Sequence, residues 1–138
     1  MPDILVDASY LIALGYPRDR NHVTAKSFAA EHGTDLLIPD VVLVEAIYNL
    51  QRLGGTAATI RFSTLLAAQP PLFLPLTVTD FIRAIALMDR YHDAELDFVD
   101  CCLTALAERL DITGICTFDR RDFAMIRPNH AEYFDLLP

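Results

Sequence analysis

The stretch ILVDASYLIAL, residues 4–14, decides the fold class because it joins a buried strand to a helix through a single acid. The apolar run Ile4–Val6 predicts a buried strand, and Asp7 ends it. We expect Ser9 to cap a short helix that stops at Gly15. An acid beside so apolar a run is costly to bury unless it is paired or binds a cation, so Asp7 is the first candidate for a functional side chain.

Strand-like and helix-like segments alternate along the rest of the chain. This alternation predicts an α/β fold with a mainly parallel central sheet, organised as one three-layer α/β/α domain over residues 1–138. Gly54-Gly55 breaks the most apolar helix, and Pro70-Pro71 ends the helix that follows it. Further strands are predicted at residues 36–38, 72–76 and 115–118, and helices at residues 19–32, 39–53, 56–69, 79–91 and 97–110.

The composition limits the classes of protein to which the chain can belong. Its 138 residues suffice for one hydrophobic core, and its hydrophobic fraction of 53% leaves apolar residues for a dimer or peptide-binding surface. A net charge of −8 excludes a protein that coats nucleic acid through a basic face. It allows a nucleic-acid enzyme whose carboxylates are neutralised by metal ions.

The cysteines and the N-terminus indicate the cellular compartment. Cys101, Cys102 and Cys116 are odd in number, and their spacing fits neither a disulfide framework nor a zinc site. We therefore expect buried, reduced thiols in a cytoplasmic protein. The first residues lack a basic segment ahead of an apolar run, and Asp7 interrupts the apolar stretch, so we predict neither a signal peptide nor a membrane helix.

Three further acids lie in apolar runs, as Asp7 does. The carboxyl ends of parallel strands and the starts of the following helices meet at one edge of a sheet, so all four carboxylates can reach one cavity. Clustered carboxylates repel one another unless a divalent cation keeps them ionised, and oxygen ligands favour Mg²⁺ or Mn²⁺ over zinc. Phosphoryl transfer is the chemistry that uses such a site. The three acids are Glu45 in VVLVEAIYNL (41–50), Asp100 in LDFVDCCLTAL (96–106) and Asp119 in GICTFDRRDF (114–123).

Four segments in this order resemble the PIN-domain ribonucleases of the VapC toxin type, and together they span most of the chain. The resemblance implies an endoribonuclease that needs Mg²⁺, for which Mn²⁺ can substitute, and that is the toxin of a type II toxin–antitoxin pair. It also implies an RNA substrate, a cognate antitoxin whose tail lies across the active-site groove, and a homodimer. Cys101-Cys102 depart from the family pattern, in which small residues such as alanine are usual. The segments are LVDASYLIAL (5–14), IPDVVLVEAIYNL (38–50), FVDCCLTALAERL (98–110) and ICTFDRRDF (115–123).

The resemblance also gives roles to individual side chains. It makes Asp7 and Asp100 the direct metal ligands. Asp97 fits mainly the capping position of the helix at 97–110. The full set of catalytic acids is Asp7, Glu45, Asp100 and Asp119. Groups that would hold the ligands in place are Ser9, Asp97 and Thr117.

The two arginines after Asp119 allow two interpretations. Arg120 and Arg121 either form an ordinary ion pair with that acid or hold the scissile RNA strand beside the metal site. The position next to a site acid favours RNA binding by both arginines.

Other proteins with an acid after the first strand fit these residues less well. A haloacid-dehalogenase-like phosphatase uses a second Asp two residues beyond the first, where this chain has Ser9. A receiver domain uses a late-strand lysine, whereas the only lysine here is Lys26. A catalytically idle PIN module that binds RNA or protein stays open as an alternative, because a complete set of acids does not demonstrate turnover.

Overall fold

The computed structural model describes residues 3–68 and 72–138 and has a parallel sheet at its centre. The strands are β1 (Ile4–Val6), β2 (Leu36–Pro39), β3 (Leu72–Leu74), β4 (Gly114–Cys116) and β5 (Asp135–Leu137). They lie in the order β3-β2-β1-β4-β5, and every neighbouring pair is parallel. The helices are α1 (Ala8–Gly15), α2 (His22–His32), α3 (Asp40–Ala68), α4 (Val78–Arg90), α5 (Phe98–Leu110) and α6 (Arg121–Met125), with 3₁₀ segments at Gly33–Asp35 and His92–Ala94. The predicted three-layer α/β/α fold is confirmed.

The core lies around β1 and α5. β1 is the central strand, paired with β2 and β4, and it is buried throughout, with Leu5 completely enclosed. In α5 the seven consecutive residues 101–107 are all buried. A helix that is apolar nearly all round lies inside a domain rather than on its surface. All three cysteines are buried and free, as expected from their number and spacing.

The turn from β1 into α1 corrects one prediction. α1 begins at Ala8, so Asp7 occupies the capping position, although its side chain makes no capping hydrogen bond. Ser9 lies within the first helical turn, past the position from which a side chain caps the free N–H groups. Its hydroxyl donates to Asp7 instead. The predicted capping role of Ser9 is therefore wrong, and the hydroxyl belongs to the surroundings of the acid.

Several other elements differ from their predicted bounds. α3 runs through the predicted break, but Gly55 within it is non-helical, with φ 81° and ψ 177°, so the helix is kinked there. β3 and β4 are shorter than the strands predicted at 72–76 and 115–118. α6 has five residues, too few to show a helical period in sequence. The predicted helix end at Pro70-Pro71 lies outside the described residues.

Paired arginines fix α4 to α5. Arg109 donates from Nε to Asp80 Oδ1 at 2.9 Å and from Nη2 to Oδ2 at 3.0 Å, while Arg83 makes the same two-pronged contact with Glu108. Asp80 also accepts from the backbone N–H of Thr77, whose hydroxyl accepts in return from the Asp80 N–H. This reciprocal capping fixes the start of α4. Across the described residues, no helix has both the length and the apolar character to span a membrane.

Candidate functional site

A cavity of about 270 Å³ lies at the carboxyl edge of the sheet, and the four acids singled out in the sequence all line it. Asp7 directly follows β1, and Asp119 lies three residues beyond β4. Glu45 lies in the second turn of α3, and Asp100 lies in the first turn of α5. Residues far apart in sequence are thus brought together by the ends of parallel strands and the starts of helices. The complete lining is Asp7, Ala8, Ser9, Ile12, Glu45, Asn49, Asp97, Asp100, Asp119 and Asp122.

Two hydroxyl groups hold the carboxylate of Asp7 in a single orientation. Thr117 Oγ1 donates to Asp7 Oδ2 at 2.7 Å, and Ser9 Oγ donates to the same oxygen at 3.0 Å. The backbone N–H of Phe118 donates to Ser9 Oγ, and that of Asp119 donates to Thr117 Oγ1, both at 3.0 Å. Each hydroxyl is thereby held by the chain that follows β4. The predicted contact of Ser9 and Thr117 with the acids is present.

Burial and mutual repulsion disfavour the ionised acids in the cavity. The pKa of Asp100 is raised to about 9, first by burial and then by the charges of Asp7 and Asp97. The pKa of Glu45 is raised to about 7, again first by burial and then by the same two acids. Burial also raises the pKa of Asp7, although hydrogen bonds from the two hydroxyls oppose the shift. A positive charge in the cavity would stabilise the ionised form of all three acids and lower their pKa values.

The donor set fits a hard divalent cation. The lining offers carboxylate, amide and hydroxyl oxygens, and neither histidine nor cysteine faces the cavity. Within residues 3–68 and 72–138, no set of three or more His, Cys, Asp or Glu side chains surrounds one point closely enough to hold a metal ion. Mg²⁺ in nucleotide-processing sites is usually held by one or two carboxylates together with waters and substrate phosphates, so two acids suffice.

Asp97 and Asp119 occupy the cavity in different ways. The carboxylate of Asp97 accepts a hydrogen bond from the Val99 N–H at 2.6 Å, so its predicted role as the α5 cap is confirmed. Asp97 also lines the cavity, as does the exposed Asp119. Among the described residues, neither following arginine forms an ion pair with Asp119, and the Arg120 guanidinium donates to the Pro138 carbonyl oxygen instead. The ordinary ion-pair interpretation of Asp119 is therefore wrong.

Two polar residues of the lining were not predicted to belong to the site. Asn49 lies four residues after Glu45 on α3, and its side chain donates to the Glu45 carbonyl oxygen at 3.0 Å. The i, i+4 spacing from an acid in an apolar helix is the signal that identifies it. Asp122 lies in the first turn of α6, which follows β4, and it also lines the cavity.

Comparison with known proteins gives consistent matches over most of the chain. The family model described as the PIN domain matches residues 4–127. Ribonuclease VapC26 of Mycobacterium tuberculosis is 22% identical over 135 residues, which cover 98% of this chain and 100% of that protein. The crystal structure of Mycobacterium tuberculosis VapC20, described as a sarcin-ricin loop cleaving toxin, superposes with a TM-score of 0.79 at 25% identity, covering 86% of this chain and 92% of that one. The DNA-bound VapBC structure from Salmonella typhimurium has the same fold, with a TM-score of 0.70 at 14% identity over 99% and 97% of the two chains.

Proposed function

The chain belongs to the PIN-domain family, and from this membership we propose that it is a VapC-type endoribonuclease, the toxin of a toxin–antitoxin pair, which hydrolyses RNA phosphodiesters with Mg²⁺. Mn²⁺ would substitute for Mg²⁺ as a cofactor. The observation that supports this proposal best is the cavity itself, where Asp7, Glu45, Asp100 and Asp119 meet from four separate elements. We further propose that residues 1–138 form one catalytic domain.

Each acid has a distinct part in the proposed reaction. Asp7, which is buried, and Asp100, which is partly buried, would hold the metal ion. A bound divalent cation supplies water activation and stabilises negative charge on the phosphate. Ser9 and Thr117 keep one oxygen of Asp7 turned toward them, so the other carboxylate oxygen has a fixed direction. Glu45 and Asp119 complete the acidic wall.

The same proposal includes two protein partners. The VapBC complexes among the structural relatives support a cognate antitoxin for this chain, and its net charge of −8 favours a basic partner. A homodimer is supported by apolar side chains that stand exposed along one stripe of α4, at i, i+3, i+4 and i+7 spacing. We propose that the protein acts in the cytoplasm without a membrane partner. The stripe consists of Val78, Phe81, Ile82, Ile85 and Met88.

An RNA cleavage assay tests the proposed reaction. We expect the purified protein to cleave RNA in the presence of Mg²⁺. Cleavage should stop when a chelator removes the metal. Asp7→Asn and Asp100→Asn should each lower the rate by at least about 100-fold, because each removes a charge that holds the ion. The matched control is Asp111→Asn, an exposed acid at the other end of α5 whose left-handed backbone (φ 55°) asparagine also adopts readily.

The outcomes separate the proposed ribonuclease from the other functions. Full cleavage by Asp7→Asn or Asp100→Asn would contradict the proposed site. RNA binding without any cleavage would make the chain an idle PIN module. A phosphatase is not favoured, because Ser9 stands where that mechanism needs a second acid and its hydroxyl is engaged with Asp7.

A further inference from the structure

The cavity cannot hold an RNA strand by charge attraction on its own. Its titratable lining consists only of acids, and no lysine or arginine lies among the lining residues. A metal ion neutralises one phosphate, but the neighbouring phosphates of a polyanionic strand still face a negative wall. The strand therefore needs basic or stacking groups at the rim of the cavity, close to the helices that carry the acids.

Four of the ten arginines are bound to groups outside the cavity lining. Arg83 of α4 pairs with Glu108 of α5, and Arg109 of α5 pairs with Asp80 of α4. Arg120 donates to the Pro138 carbonyl oxygen, and Arg127 donates to carbonyl oxygens of its own loop. On the first half of α3, before the kink, Arg52 is the basic residue. Its guanidinium lies over an aromatic ring 5.8 Å away, not on an acid.

That ring belongs to Tyr48, which lies on the same helix as two residues that line the cavity. Tyr48 comes three residues after Glu45 and one before Asn49, and both of those residues line the cavity. Its side chain is 62% exposed, so one face of the ring is available to solvent. Arg52 lies two helical turns beyond Glu45, about 10 Å along the axis. This distance places Arg52 within a few nucleotides of a phosphate held at the acids.

We propose that Tyr48 and Arg52 form a subsite for the RNA strand, with an unpaired base stacked on the Tyr48 ring and a backbone phosphate at Arg52. Stacking on an exposed aromatic ring needs a base that is free of a duplex, and it accepts any base because every base has a π face. The subsite therefore selects single-stranded RNA without reading its sequence. The proposal depends on the ribonuclease function only for the identity of the ligand.

A protein partner is the competing explanation for this face. Val44 lies one turn before Tyr48 and is 71% exposed, so a second copy of the chain could cover both. The charge of Arg52 and the proximity of Tyr48 to Glu45 and Asn49 favour RNA over a second copy. The oligomeric state of the Tyr48 variants distinguishes the two explanations.

RNA binding in the Asp100→Asn background, which prevents cleavage, tests the subsite. The probe is a short, unstructured, end-labelled RNA, and the readout is fluorescence polarisation. We expect Tyr48→Ala to weaken binding roughly tenfold and Tyr48→Phe to restore it, because phenylalanine keeps the ring. Arg52→Gln should reduce the slope of log affinity against log salt by about 0.7, the value for one phosphate contact on a single strand. The matched control is Arg61→Gln, an exposed arginine of α3 beyond the kink, which should change neither quantity.

A series of RNAs that each lack one base distinguishes stacking from a structural role. At one position, the loss of the base should weaken RNA binding by the parent protein, which has Tyr48. The same loss should leave RNA binding by the Tyr48→Ala protein unchanged. The proposal is overturned if Tyr48→Ala binds every RNA as the parent does, or if Arg61→Gln lowers the salt slope as much as Arg52→Gln. It is also overturned if Tyr48→Ala turns a dimer into a monomer and dilution of the parent causes the same loss of binding. Failure of the parent to cleave RNA would instead contradict the proposed function, since binding is measured separately.

Discussion

Replacement of Thr117 by valine tests how the protein orients Asp7, the first of the two proposed metal ligands. Thr117 is completely buried, and its hydroxyl donates to Asp7 Oδ2 at 2.7 Å. Valine has nearly the same shape but no hydroxyl, so the substitution removes the donor and leaves the backbone of β4 in place. Asp7 then keeps only the hydrogen bond from Ser9 on that oxygen.

The size of the effect follows from the charge on the acceptor. A hydrogen bond to an ionised group contributes about 1.5–3 kcal/mol, so its loss should raise the pKa of Asp7 further above its ordinary value. The same loss frees the carboxylate to rotate. Removal of a group that orients a metal ligand typically costs about 10–100-fold in metal affinity. We therefore expect Thr117→Val to bind Mg²⁺ about 10–100-fold more weakly.

Two assays should agree on this loss. Calorimetric titration with Mg²⁺ gives the affinity directly, and the RNA cleavage rate as a function of Mg²⁺ concentration should be half-maximal at a correspondingly higher concentration. The control is Thr113→Val, which removes a hydroxyl at the start of β4 that donates to Asp135 Oδ2 at 3.5 Å, remote from the cavity. An unchanged Mg²⁺ dependence in Thr117→Val, or an equal change in both variants, would refute the reasoning.

Three further substitutions test stability. The pKa of Asp100 in the folded protein is raised to about 9. The folded state is therefore most stable, relative to the unfolded state, below pH 3.8, and it loses stability as the pH rises toward about 9 because the buried carboxyl stays protonated while the unfolded one ionises. In chelator at pH 8, Asp100→Asn should therefore raise Tm by about 3–6 °C, and Mg²⁺ should stabilise the parent but not the variant. Gly55→Ala should lower the free energy of unfolding, measured in urea, by about 1–3 kcal/mol, because alanine is strained at the φ of 81°. Gly33→Ala is the control and should leave the free energy of unfolding unchanged, because Gly33 has φ −56° and nothing lies near its position for a Cβ. Asp80→Ala should lower the free energy of unfolding by about 1.5–3 kcal/mol in the same assay, because it removes the hydrogen bonds that the carboxylate accepts from Arg109 and from the Thr77 N–H, and a loss below 1 kcal/mol would contradict this role.

The four acids could be found in the sequence because each has a local signature. Asp7 and Asp119 follow strands, while Glu45 and Asp100 lie in early turns of apolar helices. A parallel sheet brings strand ends and helix starts to one edge whatever the details of packing. The convergence of these side chains was therefore predictable without coordinates.

The partners of individual side chains could not be found in the same way. Ser9 has the residue type of a cap, yet its hydroxyl bonds to Asp7 and meets Thr117, which is 108 residues away in sequence. Arg120 reaches the Pro138 carbonyl oxygen across 18 residues. Which acceptor a side chain bonds to depends on which strand ends are neighbours in the sheet. A short sequence pattern does not contain that information. Asp122 was missed for the related reason that α6 is too short to carry a period.

A crystal structure of the protein with Mn²⁺ tests the central claim most directly. The anomalous signal of the ion locates it without reference to any assumed mechanism. We expect one Mn²⁺ in the cavity, within about 2.0–2.3 Å of carboxylate oxygens from both Asp7 and Asp100. A Mn²⁺ ion bound elsewhere in the protein, with the carboxylates of the cavity bound only to waters or to one another, would contradict the claim.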